Sequence, residues 1–141
     1  TVQENLMVGE LIGGAKGKKL HDMVYEYFPV LKERRRQAAG TMSGGEQQQL
    51  AIGRALVGNP SLMLLDEPSE GIQPSIVQLI CRTLKQIRSE LGSTILFVEQ
   101  NLDTISAIGE RIYVMEKGAI IAEIKGDEIS DRSVIRQHLL I

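Results

Sequence analysis

The stretch that decides the fold runs from Leu62 to Pro68 and reads LMLLDEP. Four consecutive apolar residues are typical of a strand that is covered on both faces, so the run predicts a buried strand of a parallel sheet. It ends in two carboxylates, Asp66 and Glu67, at the strand end where open α/β sheets place their ligands. Because successive strand residues point to opposite faces, the two acids can serve different tasks. The ordinary alternative is a strand that meets solvent at an acidic turn.

Helical and extended patterns alternate downstream of this strand. Pro74 is placed to begin a helix that Gly92 ends, and residues 94–98 (TILFV) predict a second buried strand. The helix has an apolar stripe at helical spacing, formed by Ile76, Ile80, Leu84, Ile87 and Leu91. Further patterns predict a short helix over 102–108, a hairpin about Lys117-Gly118 and a final helix over 131–139. This order predicts an α/β fold with a mostly parallel sheet core and flanking helices.

The segment upstream, residues 1–40, has a mainly helical and polar pattern. It contains a basic stretch at 13–19 that has the composition of a turn, and a charged connector at 34–36. Thr1 is placed to cap the first helix, with Glu4 reaching back to it. Since the first residue is not Met, we expect the sequence to be a piece of a longer protein.

A second motif, SGGEQ at residues 43–47, lies at the entrance of a predicted helix that ends at 58–60. Ser43 and Glu46 have the spacing of a capping box. Gly44 and Gly45 allow a ligand to approach the backbone closely, and the free amides of a first helical turn form an anion site. Taken alone, the motif favours a plain capped helix. The succession of capped glycine turn, helix, break and acidic strand favours a nucleotide site.

Composition limits the classes of function. The net charge of −2 and the aromatic content of 4%, with no Trp, give no reason to expect nucleic acid as a partner. No apolar run approaches the length of a membrane span. Neither His21 nor Cys81 belongs to a metal-ligand pattern. We expect His21 at a surface or a helix end and Cys81 as a semi-buried thiol.

Four segments together resemble one family, the ABC ATPases. Residues 41–56 (TMSGGEQQQLAIGRAL) resemble its signature segment, and 62–68 look like its Walker B strand. Residues 98–101 (VEQN) resemble its switch region, and 112–118 look like the hairpin strand that follows. The resemblance covers essentially the whole chain. Residues 28–33, 71–77 and 98–101 also look like the branch that serves uptake of branched-chain amino acids, urea and short amides.

The resemblance implies a division of the chain into two parts. Residues 1–57 would form the helical (signature) subdomain, including the signature helix. Residues 58–141 would form the C-terminal part of the RecA-like α/β core, with the switch region, hairpin and terminal helix.

Site residues follow from the resemblance position by position. Ser43, Gly44 and Gly45, with Glu46 in the same turn, would bind the γ-phosphate of ATP held by the opposite subunit. Asp66 would organise Mg²⁺ through water, and Glu67 would be the general base for the hydrolytic water. The two catalytic residues would thus be Glu67 and Gln100.

Two positions depart from the usual family pattern. Gln100 stands where most members have a histidine; its amide can donate a hydrogen bond but cannot become cationic. The D-loop, residues 69–72, has Ile72 where an aspartate is usual. An interface bond through a carboxylate is therefore in doubt at that place.

The phosphate loop is the largest departure. Its pattern needs Gly, four residues and Gly-Lys-Ser/Thr. Gly17-Lys18 is the candidate, but Ile12 stands where the first Gly is needed and Lys19 where the hydroxyl is needed. We expect a basic solvated loop there, the phosphate loop upstream of Thr1, and no ATP turnover by these 141 residues alone.

The resulting functional prediction is an ATP-hydrolysing, energy-coupling subunit of an ABC importer for branched-chain amino acids, urea or amides. Its cofactors would be ATP and Mg²⁺. Its partners would be transmembrane permease subunits, contacted through residues 1–36, and a second ABC ATPase subunit, with an indirect link to a solute-binding protein. It would lie in the cytoplasm, peripherally on the inner face of the plasma membrane. The alternative is a non-catalytic ABC-like binding or regulatory module.

Overall fold

A computed structural model describes residues 1–139. Its elements, in chain order, are α1 (Val2–Gly13), α2 (Ala15–Tyr27), α3 (Pro29–Glu33), α4 (Gly44–Val57), β1 (Leu62–Asp66), α5 (Pro74–Leu91), β2 (Thr94–Val98), α6 (Leu102–Ile108), β3 (Arg111–Glu116), β4 (Ala119–Lys125) and α7 (Arg132–Leu139). Short 3₁₀ turns cover Ala39–Thr41 and Gly126–Ser130. The α/β class, with a parallel strand pair and flanking helices, is confirmed.

Three helices, α1, α2 and α4, pack against one another in the first part of the chain. Thr1 and Glu4 form the expected capping box at the start of α1. The basic stretch is not a turn over its whole length. Gly14, at φ 58°, is the single break, and the chain re-enters a helix at Ala15. The prediction of a basic loop was therefore wrong, because one left-handed glycine is enough to separate the two helices.

Glycines let the helices of this region approach closely. A Cβ atom added at Gly9 would lie 2.6 Å from the Arg54 carbonyl oxygen, and one at Gly53 would lie 2.7 Å from Val24 Cγ1. A Cβ at Gly13 would collide with the Val57 carbonyl oxygen. The three glycines therefore fix how α1 and α2 lie on the signature helix α4.

His21 lies inside α2 and not at a surface or helix end. Its side chain is buried, and its Nδ1 contacts a Glu10 carboxylate oxygen. The expectation for His21 was wrong because a short polar helix can still turn one polar side chain inward when a partner is present.

The sheet of the second part pairs β1 with β2 in parallel, from Leu62 opposite Thr94 to Asp66 opposite Val98. Helix α5 begins at Pro74 and ends at Gly92, as predicted, and it contacts β2. Its stripe is buried at Ile80, Leu84 and Ile87, which are at most 2% exposed.

One face of this strand pair is open. The exposed fractions are 48% for Leu62, 69% for Leu64, 56% for Leu96 and 62% for Val98, so the prediction that both faces are covered was wrong. Side chains alternate along a strand, and the face that carries the buried Met63 packs on the protein core. Within residues 1–139, no element covers the opposite face.

A hairpin of β3 and β4 follows, with Lys117 and Gly118 at its tip as predicted. Both tip residues have positive φ, 48° and 82°, the backbone that suits a tight two-residue hairpin turn. The hairpin buries Val114 and Ile124 in a small cluster with α6 and α7.

The larger hydrophobic cluster joins the two parts of the chain. It contains Leu6 and Leu56 from before residue 57 together with Met63 and Leu84 from after it. The boundary at residues 57 and 58 stays a prediction. In the part that the structure describes, no helix is both long and apolar enough to cross a membrane.

Candidate functional site

Two adjacent acidic residues, Asp66 and Glu67, lie at the carboxyl end of strand β1. Asp66 is the last residue of the strand, and Glu67 follows it at φ 42°, in the left-handed region. The Glu67 amide donates to the Val98 carbonyl oxygen at 2.9 Å, which fixes Glu67 beside the end of β2. A non-glycine residue in this region is uncommon and tends to occur where a site constrains the backbone. The turn therefore presents Glu67 at the carboxyl end of both strands.

Gln100 lies next to Glu67. Its Nε2 is 3.4 Å from Glu67 Oε1, so the amide donates a long hydrogen bond to the carboxylate. The structure thus brings together the two residues that the sequence predicts as catalytic, although they are 33 positions apart in the chain. A neutral amide beside a carboxylate can hold a water between an acceptor and a donor.

The electrostatic surroundings of Glu67 are acidic. A hydrogen bond and charge repulsion from Glu70 raise the pKa of the Glu67 carboxyl, and burial, Asp66 and Glu99 add to the effect. A raised pKa means that the negative charge is disfavoured and that a proton is held more readily. Groups with this property are candidates for proton transfer.

The same carboxylates suit a divalent cation. Mg²⁺ prefers oxygen ligands and keeps several waters, so a site with one or two carboxylates from the protein is sufficient. Among residues 1–139, no group of three or more His, Cys, Asp or Glu side chains could hold a metal ion unaided. The donors present therefore fit Mg²⁺ held by Asp66 through water with phosphate oxygens, and not a closed protein cage.

The side chain of Glu99 connects two segments next to the candidate site. Glu99 Oε2 accepts from the Ser69 hydroxyl at 2.6 Å, and Glu99 Oε1 accepts from the amides of Gln100 and Asn101 at 2.9 and 3.0 Å. The sequence interpretation assigned no role to Glu99 or to Glu70. The sequence offered one signal for each residue: Glu99 directly precedes Gln100, and Glu70 follows Glu67 by three positions.

The signature turn is built as the sequence predicts. Ser43 caps α4: its hydroxyl accepts from the Glu46 amide at 3.4 Å, and Glu46 Oε2 accepts from the Ser43 amide at 2.9 Å. Arg34 Nη2 lies 3.2 Å from Glu46 Oε1. The hydrogen bond from the Ser43 backbone, assisted by Arg34, lowers the pKa of Glu46 against the effect of burial. The Glu46 carboxylate is thus engaged in holding the turn, and its contact with nucleotide stays a prediction.

The two glycines of the turn have different surroundings. A Cβ added at Gly44 would meet nothing within 4 Å, whereas one at Gly45 would lie 3.1 Å from Ile76 Cγ2 and 3.3 Å from Ile72 Cγ2. Gly44 therefore leaves open space for a ligand at the helix entrance. Gly45 lets the turn pack on the D-loop and on the first turn of α5.

The structure does not join the signature turn to the acids. Within residues 1–139, no hydrogen bond links Ser43, Gly44, Gly45 or Glu46 to Asp66, Glu67 or Gln100. The chain therefore contains two separate groups of candidate site residues. One is the signature turn with its backbone amides, and the other is the pair Glu67 and Gln100 beside Asp66.

Comparisons with known proteins identify relatives of this chain. A family model described as ABC transporter matches residues 1–70. The chain is 45% identical over 141 residues to the high-affinity branched-chain amino acid transport ATP-binding protein BraG of Pseudomonas aeruginosa, covering 99% of this chain and 60% of that protein. It thus spans about 60% of the length of this curated relative.

Two solved structures are similar over much of the chain. One, an ATP-binding cassette of an ABC transporter in its ADP conformation, has a TM-score of 0.77 at 30% identity and covers 96% of this chain and 61% of that one. Another, a dimeric post-hydrolysis state of an ATP-binding cassette bound to ADP and Pi, has a TM-score of 0.57 at 34% identity and covers 61% of this chain and 37% of that one. With its signature turn, acidic strand end and switch glutamine, the chain belongs to the ATP-binding cassette family of ABC transporters.

Proposed function

We propose that the protein is the ATP-hydrolysing, energy-coupling subunit of an ABC importer for branched-chain amino acids, urea or amides. The observation that carries the proposal is the contact of 3.4 Å between Gln100 Nε2 and Glu67 Oε1 at the carboxyl end of two parallel strands. The name of the similar Pseudomonas protein supports branched-chain amino acids within this range.

Glu67 acts as the general base in this proposal. Its carboxylate accepts a proton from the attacking water, and the raised pKa of the group helps it to hold that proton. The Gln100 amide donates to the same carboxylate and so limits its orientation. Since Gln100 cannot be charged, it orients water and phosphate by hydrogen bonding alone.

Asp66 would hold Mg²⁺ through water, with further oxygen ligands from ATP. The bound ion would neutralise charge on the transferred phosphoryl group. The charge of Glu67 is repelled by the nearby carboxylates of Glu70, Asp66 and Glu99. This excess of negative charge supports a cation close to Glu67.

The signature turn serves the partner subunit's nucleotide. Gly44 faces open space at the helix entrance, Ser43 is exposed, and the amides of a first helical turn attract phosphate. Their separation from Asp66 and Glu67 supports a composite site between two subunits, and the similar cassette in a dimeric ADP and Pi state supports the same assembly.

The helical part contacts the membrane permease. Four apolar side chains on α1 are strongly exposed, Met7 at 47%, Val8 at 52%, Leu11 at 87% and Ile12 at 77%, which is the pattern of a protein interaction surface. The protein then lies on the cytoplasmic face of the membrane, with the solute-binding protein linked only through the permease.

The test is Glu67→Gln in the full-length protein. We expect ATP turnover to fall by about a thousandfold while ATP binding persists, because the substitution removes the base and keeps the shape. The matched control is Glu128→Gln, the same change at an exposed glutamate after β4, which should leave turnover intact. Unchanged turnover in Glu67→Gln would reject Glu67 as the base.

A non-catalytic ABC-like binding or regulatory module is the second candidate. Gly17 and Lys18 lie inside α2 and do not form a phosphate loop. Measurement of ATP affinity in the full-length protein separates the two functions. Micromolar binding with turnover supports the ATPase, and absence of binding supports the module.

A further inference from the structure

Glu99 contacts two segments that are distant in the sequence. Its Oε2 accepts from Ser69 Oγ at 2.6 Å, across 30 positions of the chain, and its Oε1 accepts from the amides of Gln100 and Asn101 at 2.9 and 3.0 Å. Hydrogen bonds to a carboxylate at such distances are among the stronger ones in proteins. One side chain thus joins the D-loop to the switch segment, residues 99–101.

Both ends of this connection lie next to proposed catalytic residues. Ser69 is two positions after Glu67, is 8% exposed, and its carbonyl oxygen accepts from the Ile72 amide at 3.4 Å. On the other side, the Gln100 amide that Glu99 holds belongs to the residue whose side chain reaches Glu67. Glu99 therefore joins the segment just after Glu67 to the backbone of Gln100.

A helix cap and a metal ligand are roles that fit the contacts of Glu99 less well. It is not required as the cap of α6, because the Asn101 side chain already accepts from the Asp103 and Thr104 amides at 2.9 and 3.3 Å. Three of the roughly four acceptor sites of its carboxylate are taken by protein donors, which leaves about one for any further ligand.

We propose that Glu99 is a positioning residue that couples the D-loop to the switch segment and so aligns Gln100 with Glu67. The coupling runs through one carboxylate, from the Ser69 hydroxyl to the amides of Gln100 and Asn101. The inference rests on the proposed function for its effect on ATP turnover, but the coupling itself is a property of the described contacts.

The first measurement is hydrogen exchange in the full-length protein. We expect Glu99→Ala to speed amide exchange by about tenfold or more at Gln100 and Asn101 and also at Glu70 and Ile72 in the D-loop, because both segments open more often once the shared carboxylate is gone. Asn101→Ala is the matched control. It should speed exchange at Asp103 and Thr104 while leaving Glu70 and Ile72 unchanged.

The second measurement is a double-mutant cycle on ATP turnover. We expect Ser69→Ala and Glu99→Ala each to lower kcat by about tenfold with KM nearly unchanged, since the proposal gives both residues a positioning role and not a binding role. The double variant should be no worse than Glu99→Ala. Glu99→Gln keeps an acceptor for the two amides and should recover part of the rate. Should Glu99→Ala fail to fold, Ser69→Ala tests the same link from the D-loop side.

Three outcomes have distinct meanings. Unchanged exchange at Glu70 and Ile72 in Glu99→Ala, or additive effects in the cycle, would overturn the coupling. A normal ATPase rate in Glu67→Gln would instead remove the proposed function while the exchange result still decides the coupling. A rise in KM without loss of kcat in Glu99→Ala would reassign Glu99 to nucleotide binding and also overturn the proposal.

Discussion

The Tyr27 hydroxyl donates to Glu90 Oε2 at 2.6 Å and thereby joins the end of α2 to the last turn of α5. Tyr27 is a buried member of the larger hydrophobic cluster. Burial, with the hydrogen bond to Glu90, raises the pKa of the Tyr27 phenol, so the group stays neutral and remains a donor at all ordinary pH values. This bond ties the helical part of the chain to the helix that supports the sheet.

Loss of this bond should cost stability. We expect Tyr27→Phe to lower the free energy of unfolding by about 1–2 kcal/mol, because it removes a partly buried hydrogen bond to a carboxylate and keeps the ring. Urea unfolding followed by circular dichroism measures the change. Tyr25→Phe, the same substitution two positions away on α2, is the control and should stay within about 0.5 kcal/mol of the parent.

Glu67→Gln should make the protein more stable as well as inactive. The raised pKa of Glu67 means that folding favours its protonated form, so the charged form costs stability at neutral pH. That cost is absent at low pH and appears as the pH rises through the raised pKa. We expect Tm to rise in Glu67→Gln near neutral pH and the gain to shrink in acid. An equal gain at both pH values would contradict the repulsion from Glu70.

The glycines of the signature turn should separate packing from ligand binding. Gly45→Ala brings a Cβ to 3.1 Å from Ile76 Cγ2 and should lower Tm, because the turn must move away from α5. Gly44→Ala has open space and should leave Tm unchanged or slightly raised. In the full-length protein Gly44→Ala should nevertheless reduce ATP turnover by about tenfold or more, since it narrows the approach to the helix amides. Turnover equal to the parent would remove Gly44 from the site.

Close helix contact should make Gly13 intolerant of a side chain. Alanine is the better helix former by about 1 kcal/mol, yet a Cβ at Gly13 collides with the Val57 carbonyl oxygen. We therefore expect Gly13→Ala to destabilise the protein by about 1–3 kcal/mol in urea unfolding. Gly40→Ala serves as the control, because a Cβ there meets nothing within 4 Å. Similar effects of the two changes would mean that the contact relaxes easily.

Local signals in the sequence were sufficient for most element bounds. The capping box at Ser43, Pro74 at the start of α5, Gly92 at its end and the Lys117-Gly118 tip all act within a few residues, and the structure has each of them in place. Glu67 and Gln100 were named together only through the resemblance to ABC ATPases, and the structure shows them close at the shared end of two parallel strands. The local features are predictable because backbone geometry alone fixes them.

Contacts between distant residues were not predictable in this way. An isolated glutamate before Gln100 gives no sign that its two oxygens will hold Ser69 as well as two amides. The burial of His21 depends on Glu10 from another helix, and the exposure of Leu64 and Leu96 depends on which face of the sheet receives α5. Hydrophobicity says that a side chain can be buried, but the neighbours that bury it come from the fold.

The open face of β1 and β2 has a consequence for work with the polypeptide in solution. Leu64, Leu96 and Val98 present adjacent aliphatic surface beside the very edge where ATP is expected to bind. Salts that strengthen apolar association, such as sulfate, should therefore promote self-association of a polypeptide of residues 1–141 through this face.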